Sequence, residues 1–315
     1  LKKNRLKEKW LSLSGEAISN NFWGRFRPID IATLAYISIE LLVVLVFMGG
    51  KPGWLYMLLF YISAACIVFL MVAFPFEESS PFVRAIRVAY PMILFIFFYK
   101  ALGPQLFIVF DKPFDWMVHQ FELIIFGMDP AFAVQKYIDI WINEIMNFGY
   151  FSFYLLLPAT ILIYVFLKKW KSLEMMILSS AISFYLCYIL FIFYPVIGPR
   201  FYLGDIYYLP LIGPFFTPLA KSVVEFGGHY GAALPSSHCA IAFVIAWRVG
   251  KDVRKLMIPV VFISLLLCLS TVYGRFHYLT DVIAGLIIGV LGVWISGHWY
   301  DGFLKRKKKE TDKSQ

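Results

Sequence analysis

Apolar residues in this chain gather into long runs, and charged or turn-forming residues gather between them. Runs of roughly twenty residues wound as α-helix match the ~30 Å hydrocarbon layer of a bilayer. The pattern predicts eight membrane-crossing helices, near 31–49, 54–74, 88–101, 147–167, 173–195, 236–249, 256–273 and 281–299. The punctuation supports these limits. Gly49-Gly-Lys-Pro-Gly53 reads as a tight turn. Lys168-Lys-Trp-Lys171 ends the fourth run, and Pro195 with Gly198-Pro-Arg200 ends the fifth. Pro91, inside the third run, predicts a kink. The fold class is therefore all-α: a polytopic membrane helical bundle.

Two stretches break the pattern. Residues 103–146 mix Asp111, Asp115, His119, Glu122, Asp129 and Glu144 with Phe, Trp and Ile, and hold no apolar run of spanning length. They predict short amphipathic helices lying in the interface, one of them starting with Asp129 as cap and Pro130 in the first turn. Residues 196–235 predict a long loop rich in Pro, Gly and Tyr. The expected organisation is a basic membrane-surface segment (1–30), N-terminal spans plus the interfacial region (31–146), a catalytic core (147–300) and a basic tail (301–315). No internal repeat and no cleavable signal peptide is apparent, so the first run would serve as its own insertion signal.

Composition agrees. The chain is 60% hydrophobic and 16% charged, with a mean hydropathy of +0.73, far from the quarter-charged average of soluble domains. The net charge of +9 follows topology: with the N-terminus cytoplasmic, 22 of the 29 Lys and Arg fall on the cytoplasmic side of an eight-span chain. Both termini are then expected in the cytoplasm. Aromatic and basic residues do not interleave as in single-strand binders, so nucleic acid is not an expected partner. The four cysteines, Cys66, Cys187, Cys239 and Cys268, fit no metal or disulfide spacing and read as small buried hydrophobes. Glu40, inside the first run, is an unusual intramembrane acid.

Ionisable residues beside a bilayer point to chemistry, and two segments carry them. Pro235-Ser-Ser-His238 opens the sixth run. The first N–H groups of a helix lack internal partners and carry partial positive charge, so Ser236 and Ser237 at this start predict an anion site, with His238 in the first turn. His277 and Asp281, four apart at the start of the eighth run, fit a carboxylate that orients an imidazole and leaves its other nitrogen as nucleophile. Arg275, beside His277, and Arg200, on the Gly198-Pro turn, suit phosphate contact. Lys221 and His229 are further candidates within the loop, whereas His119 and His298 read as interfacial or structural. The charge count puts the 196–235 loop, Ser236 to His238 and Arg275 to His277 on one, non-cytoplasmic face.

Together these blocks resemble the type 2 phosphatidic acid phosphatase superfamily, over about residues 147–299. Its Pro-Ser-Gly-His block appears as Pro235-Ser-Ser-His238, and its His-x-x-x-Asp block as His277 to Asp281, followed by Val282-Ile-Ala-Gly285. Phe193 stands where the family usually has a lysine, and Thr271 where it has an arginine; Arg275 supplies that charge from another position. With Gly198-Pro-Arg200, these departures resemble the branch of inositol phosphorylceramide and sphingomyelin synthases. The resemblance implies a six-helix-type catalytic core and an integral-membrane lipid phosphatase working through a phosphohistidine on His277. In it Asp281 supports the nucleophile and His238 is acid and base. Arg200, Arg275, Ser236 and Ser237 hold phosphate oxygens, with no metal or cofactor. The alternative it implies is a phosphotransferase that passes the headgroup to an alcohol. A transporter or scaffold is disfavoured because the charged cluster lies at one face. The expected partners are a phosphorylated lipid substrate and membrane lipids; nothing in the sequence bears on oligomeric state.

Overall fold

The computed structural model describes residues 22–74 and 80–314, the side chains of 307–314 excepted. The expected surface segment therefore lies outside the described residues up to position 21. The chain is a helical bundle. Helix α1 (Pro28–Val43) continues through a π-helical turn to Met48, and α2 (Trp54–Ala73) and α3 (Pro81–Ala101) follow. Next come α4 (Asp115–Phe126), α5 (Ile140–Phe166), α6 (Trp170–Phe193), α7 (Phe216–Gly227), α8 (Ser237–Asp252), α9 (Met257–Tyr273) and α10 (Leu279–Ser314). Among the described residues, seven helical stretches are long and apolar enough to cross a membrane.

The sixth predicted run is the exception. Helix α8 has 16 residues, about 24 Å at 1.5 Å per residue, short of the usual spanning length. It packs among α5, α6, α9 and α10, and Ala240, Ile241, Ala242 and Val244 on successive faces are fully buried. It is thus a core helix of the bundle, while the outward faces of its neighbours carry the exposed Leu, Ile and Phe side chains suited to lipid.

Two helices start earlier than the hydrophobic pattern indicates, each because a buried charge finds partners. Helix α3 takes in Arg87, whose guanidinium makes a two-pronged contact with Asp30 of α1 at 2.8 and 2.6 Å; Tyr90 adds a third donor to the same carboxylate at 2.7 Å. Helix α5 starts at Ile140 and so takes in Glu144, which accepts from the N–H groups of Phe215, Phe216 and Thr217. A charge that has such partners no longer limits a buried helix. Glu40 is likewise buried within the N-terminal helices, where it accepts from the Tyr61 hydroxyl at 3.2 Å.

Inside a membrane, close packing and polar contacts replace water exclusion as the force between helices. Helix α10 meets α8 and α6 through a row of small residues. A methyl at Gly289 would come within 2.7 Å of the Ala240 carbonyl oxygen, and one at Gly285 would overlap that of Ser236. The N-terminal helices join α6 through rings: Tyr36 stacks on Tyr185 at 4.4 Å between centroids, and Phe98 packs beside both.

The region 103–146 holds short helices, as its mixed pattern indicates. Asp129 caps the turn Pro130–Ala133 by accepting from Phe132 N–H at 2.7 Å. Helix α4 is amphipathic in an inverted sense. Its buried residues are Asp115, Val118 and Glu122, whereas Trp116, Phe121, Ile124 and Ile125 are exposed.

Candidate active site

Three loop-to-helix junctions meet at one end of the bundle, and backbone hydrogen bonds join them. Arg200 N–H donates to the Arg275 carbonyl at 3.0 Å, and Ser236 N–H to the Asp281 carbonyl at 2.9 Å. Gly198 has φ +89, and a side chain there would come within 2.8 Å of the Phe276 carbonyl. Glycine is what lets the Pro199-Arg200 turn lie this close to the His277 loop. Arg275 itself takes a left-handed conformation, φ 62. The Thr271 carbonyl accepts from both Phe276 N–H and His277 N–H, at 2.9 and 3.1 Å, which folds the loop back on α9.

The histidines face each other across this junction, their ring centroids 5.7 Å apart. His277 Nδ1 lies 3.4 Å from Asp281 Oδ2, which also accepts from Tyr278 N–H at 2.9 Å. Burial lowers the pKa of the His277 ring to about 4, opposed by a hydrogen bond with the Ala233 backbone, so the imidazole is neutral at pH 7. His238 is held between Phe153 and Tyr150, and its Nε2 lies 3.4 Å from the Tyr150 hydroxyl.

Ser236 is the N-cap of α8: its hydroxyl accepts from Cys239 N–H at 3.4 Å. Pro235 therefore precedes the cap. Among the described residues the N–H groups of Ser237 and His238 are the donors of that turn without a partner. The Arg200 guanidinium stacks near the rings of Phe201 and Phe276, 4.4 and 5.6 Å from their centroids. Phe276 in turn packs on Tyr150, which places Arg200 in the same aromatic nest as His238.

The other candidates are placed differently. The Arg275 guanidinium lies over the Tyr207 ring and donates to the Leu209 carbonyl at 2.7 Å, so it ties the 203–212 loop to the site. Lys221 is exposed on α7 and 3.9 Å from Glu225. His229 packs against Tyr99 and Gly103. His119 lies 3.5 Å from Asp129. Phe193, at the position of the family's usual lysine, packs on Phe47.

Two carboxylates that the sequence pattern did not single out sit beneath the junction. Asp115 accepts from the N–H groups of Ile197 (2.8 Å) and Gly198 (2.9 Å) and from the Tyr278 hydroxyl (3.1 Å). It joins the turn that carries Arg200 to the loop that carries His277. Burial raises its pKa, and its donors oppose the rise. Glu122 accepts from Thr280 N–H at 2.7 Å and from the Thr280 hydroxyl at 3.1 Å, and so caps α10 one residue before Asp281. Burial pushes its carboxyl up to about 7. The signal was available: the two acids are seven apart, on the stripe opposite the aromatic residues of α4. A group of His, Cys, Asp and Glu fit to hold a metal ion is absent among the described residues.

The profile of the PAP2 superfamily matches residues 116–295, which takes in α4 as well as the junctions just described. A PA-phosphatase related-family protein of Dictyostelium discoideum is 24% identical over 184 residues, covering 50% of this chain and 32% of that relative. The chain thus matches about a third of the relative's length. No solved structure matches. The PAP2 superfamily comprises phosphatases and related phosphotransferases, and its membrane proteins act on lipid substrates. With more than half of its residues matched by that profile and its helices of membrane-spanning length, this chain belongs to the PAP2 superfamily.

Proposed function

We propose that the chain is an integral-membrane lipid phosphatase that works through a phosphohistidine on His277. The observation that carries this reading is the facing pair of histidines, 5.7 Å apart, with Asp281 at Nδ1 of one of them. A neutral imidazole held at Nδ1 offers Nε2 as nucleophile. Nε2 attacks phosphorus, the N–P bond forms, and the P–O bond to the lipid breaks. His238 donates a proton to the leaving alkoxide. It then takes a proton from water, which attacks phosphorus, releases inorganic phosphate and restores His277. Asp281 stabilises the positive ring during the first step.

Arg200 and the free N–H groups of Ser237 and His238 supply positive potential for the non-bridging oxygens, whose charge persists throughout. Ser236 contributes by capping the helix that presents those groups, and Arg275 by anchoring the 203–212 loop beside them. Lys221 and His229 remain outside this set. With α8 counted as a crossing, because it runs from the histidine end of the bundle to the opposite end, the distribution of Lys and Arg supports cytoplasmic termini and a site at the non-cytoplasmic face.

The test is a panel of phosphorylated lipids given to the purified chain, with inorganic phosphate as readout. Hydrolysis that disappears in His277→Ala and His238→Ala, with an acid-labile phosphoenzyme on the wild type, is the expected result. Full activity in His277→Ala overturns the proposal. A new phosphodiester lipid that forms only when an alcohol is supplied would assign the same intermediate to a phosphotransferase.

A further inference from the structure

The end of the bundle away from the histidines holds a cavity of about 510 Å³ that the chemistry above does not use. It lies between the start of α6, the last turns of α8 and the second half of α10, and Lys171, Trp247, Arg248, Lys251 and Trp294 line it. Arg248 follows His238 by ten residues on α8, about 15 Å along the axis at 1.5 Å per residue.

Arg248 is 5% exposed and held in one orientation. Its Nε and Nη2 donate to Ser179 Oγ at 3.0 and 2.8 Å, and Nη2 also to Ser296 Oγ at 2.7 Å. Those two hydroxyls bond each other at 2.8 Å. Among the described residues its partners are hydroxyls and a carbonyl, none a carboxylate, and Nη1 donates to no group of the protein. A buried guanidinium is costly; Asp252, one turn further on α8, offsets part of its charge without a hydrogen bond, and Nη1 keeps an edge for an anion.

Lys171 and Lys251 are exposed at the rim, Lys171 with its Nζ 5.9 Å from the Tyr300 ring centroid. Two acids also line the cavity, Asp252 and Asp301. Asp252 accepts from the Tyr164 hydroxyl at 3.1 Å, and Asp301 is exposed at the edge. The lining is thus positive in balance. Trp247 and Trp294 are 52% and 58% exposed, as suits rings at headgroup depth.

We propose that this cavity is a second ligand site, which takes the phosphate group of a membrane phospholipid. Arg248 Nη1 and the two rim lysines donate to the phosphate oxygens, and the Trp rings flank the glycerol. The site stands independently of the catalytic reading, and its test does not depend on turnover. The purified chain is placed in bilayer discs of phosphatidylglycerol, or of a neutral galactolipid without phosphate. Lysines are then acylated with a water-soluble reagent, and rates are read peptide by peptide.

Lys171 and Lys251 are expected to react at least threefold more slowly in the phosphatidylglycerol discs. Lys168, exposed at the same end but outside the cavity, reports the general effect of a charged surface and should change less than twofold. Arg248→Gln removes the protection. Arg248 bridges three helices, so Lys171→Gln, at an exposed position, supplies a second test: protection of Lys251 must weaken. Millimolar inorganic phosphate in galactolipid discs separates the sources. Protection there shows that the phosphate group alone suffices, and none shows that the lipid is required. Equal rates in both kinds of disc with no effect of phosphate, or slowing shared equally by Lys168, overturns the proposal.

Discussion

Removing the Asp115 carboxylate should disable the site although Asp115 touches neither histidine. Its two oxygens take three donors, at 2.8, 2.9 and 3.1 Å, from both loops that frame the junction. In Asp115→Asn one oxygen becomes an NH2 group and faces a backbone N–H. At least one hydrogen bond to a charged acceptor is lost, and a buried N–H is left unpaired, a cost of about 1–3 kcal/mol. Where that cost is met decides the outcome. If the Gly198 turn stays fixed, the loss appears in stability alone. If the turn shifts, Arg200 moves with it, and the loss appears in the transition state. The single backbone bond from Arg200 N–H to Arg275 O is a weak substitute for the two that Asp115 makes, so the second case is expected. At 1.36 kcal/mol per tenfold in rate, kcat/KM for lipid phosphate hydrolysis should fall about ten- to a hundredfold, with a smaller loss in Tyr278→Phe. The double variant should lose less than the sum of the two, because both act on one network. Thermal unfolding in detergent gives the stability part. A folded Asp115→Asn enzyme with kcat/KM within twofold of wild type refutes the reasoning, and Tyr278→Phe carries the test if Asp115→Asn does not fold.

Three more outcomes follow from particular groups. Glu122 has its carboxyl raised from 4.5 to about 7, so between those values the folded state holds a proton that the unfolded state has released, and stability falls as pH rises through that window; Glu122→Gln should flatten this part of the unfolding profile relative to wild type. His277, lowered to about 4, stays neutral until the pH drops toward that value, so kcat/KM should keep the unprotonated nucleophile down to about pH 4, well below the limb of an ordinary imidazole; a nucleophile limb assigned near 6.5 by comparison with variants would contradict the burial argument. Gly289→Ala puts a methyl 2.7 Å from the Ala240 carbonyl, a backbone atom with no rotamer to escape into, and should cost about 1–3 kcal/mol by overpacking, measured as a lower unfolding midpoint.

Much of the bundle was legible because its determinants are local. Apolar runs and Gly/Pro punctuation located the helices, and the two His blocks were visible as short motifs at helix starts. What was not legible depended on partners distant in the chain. The early starts of α3 and α5 required Asp30 to meet Arg87 across 57 positions, and Glu144 to meet Thr217 across 73. The same holds for Arg275. Spacing from His277 suggests a phosphate contact; the loop that returns at Leu209 and Tyr207 engages Nη2 and the face of the guanidinium, and among the described residues Nε has no partner.

Helix α4 shows why mixed composition deceives near a membrane. In a soluble protein, a short helix with Trp, Phe and Ile on one stripe and acids on the other would bury the rings and expose the acids. Here the rings are exposed and Asp115 and Glu122 are fully buried. The reversal follows from what each face meets. Lipid accepts apolar side chains at no cost, while a carboxylate there would lack donors. The bundle end offers several: the Ile197 and Gly198 N–H groups, the first N–H groups of α10, and the Tyr278 hydroxyl. Helix starts and tight turns are where a bundle leaves N–H groups unpaired, and the histidine junction consists of such starts and turns. The acids of α4 are therefore drawn to the same place that would draw a phosphate. They take the donors of the 197–198 turn and of the α10 start, and on the proposed function those at Ser237 and His238 are left for substrate.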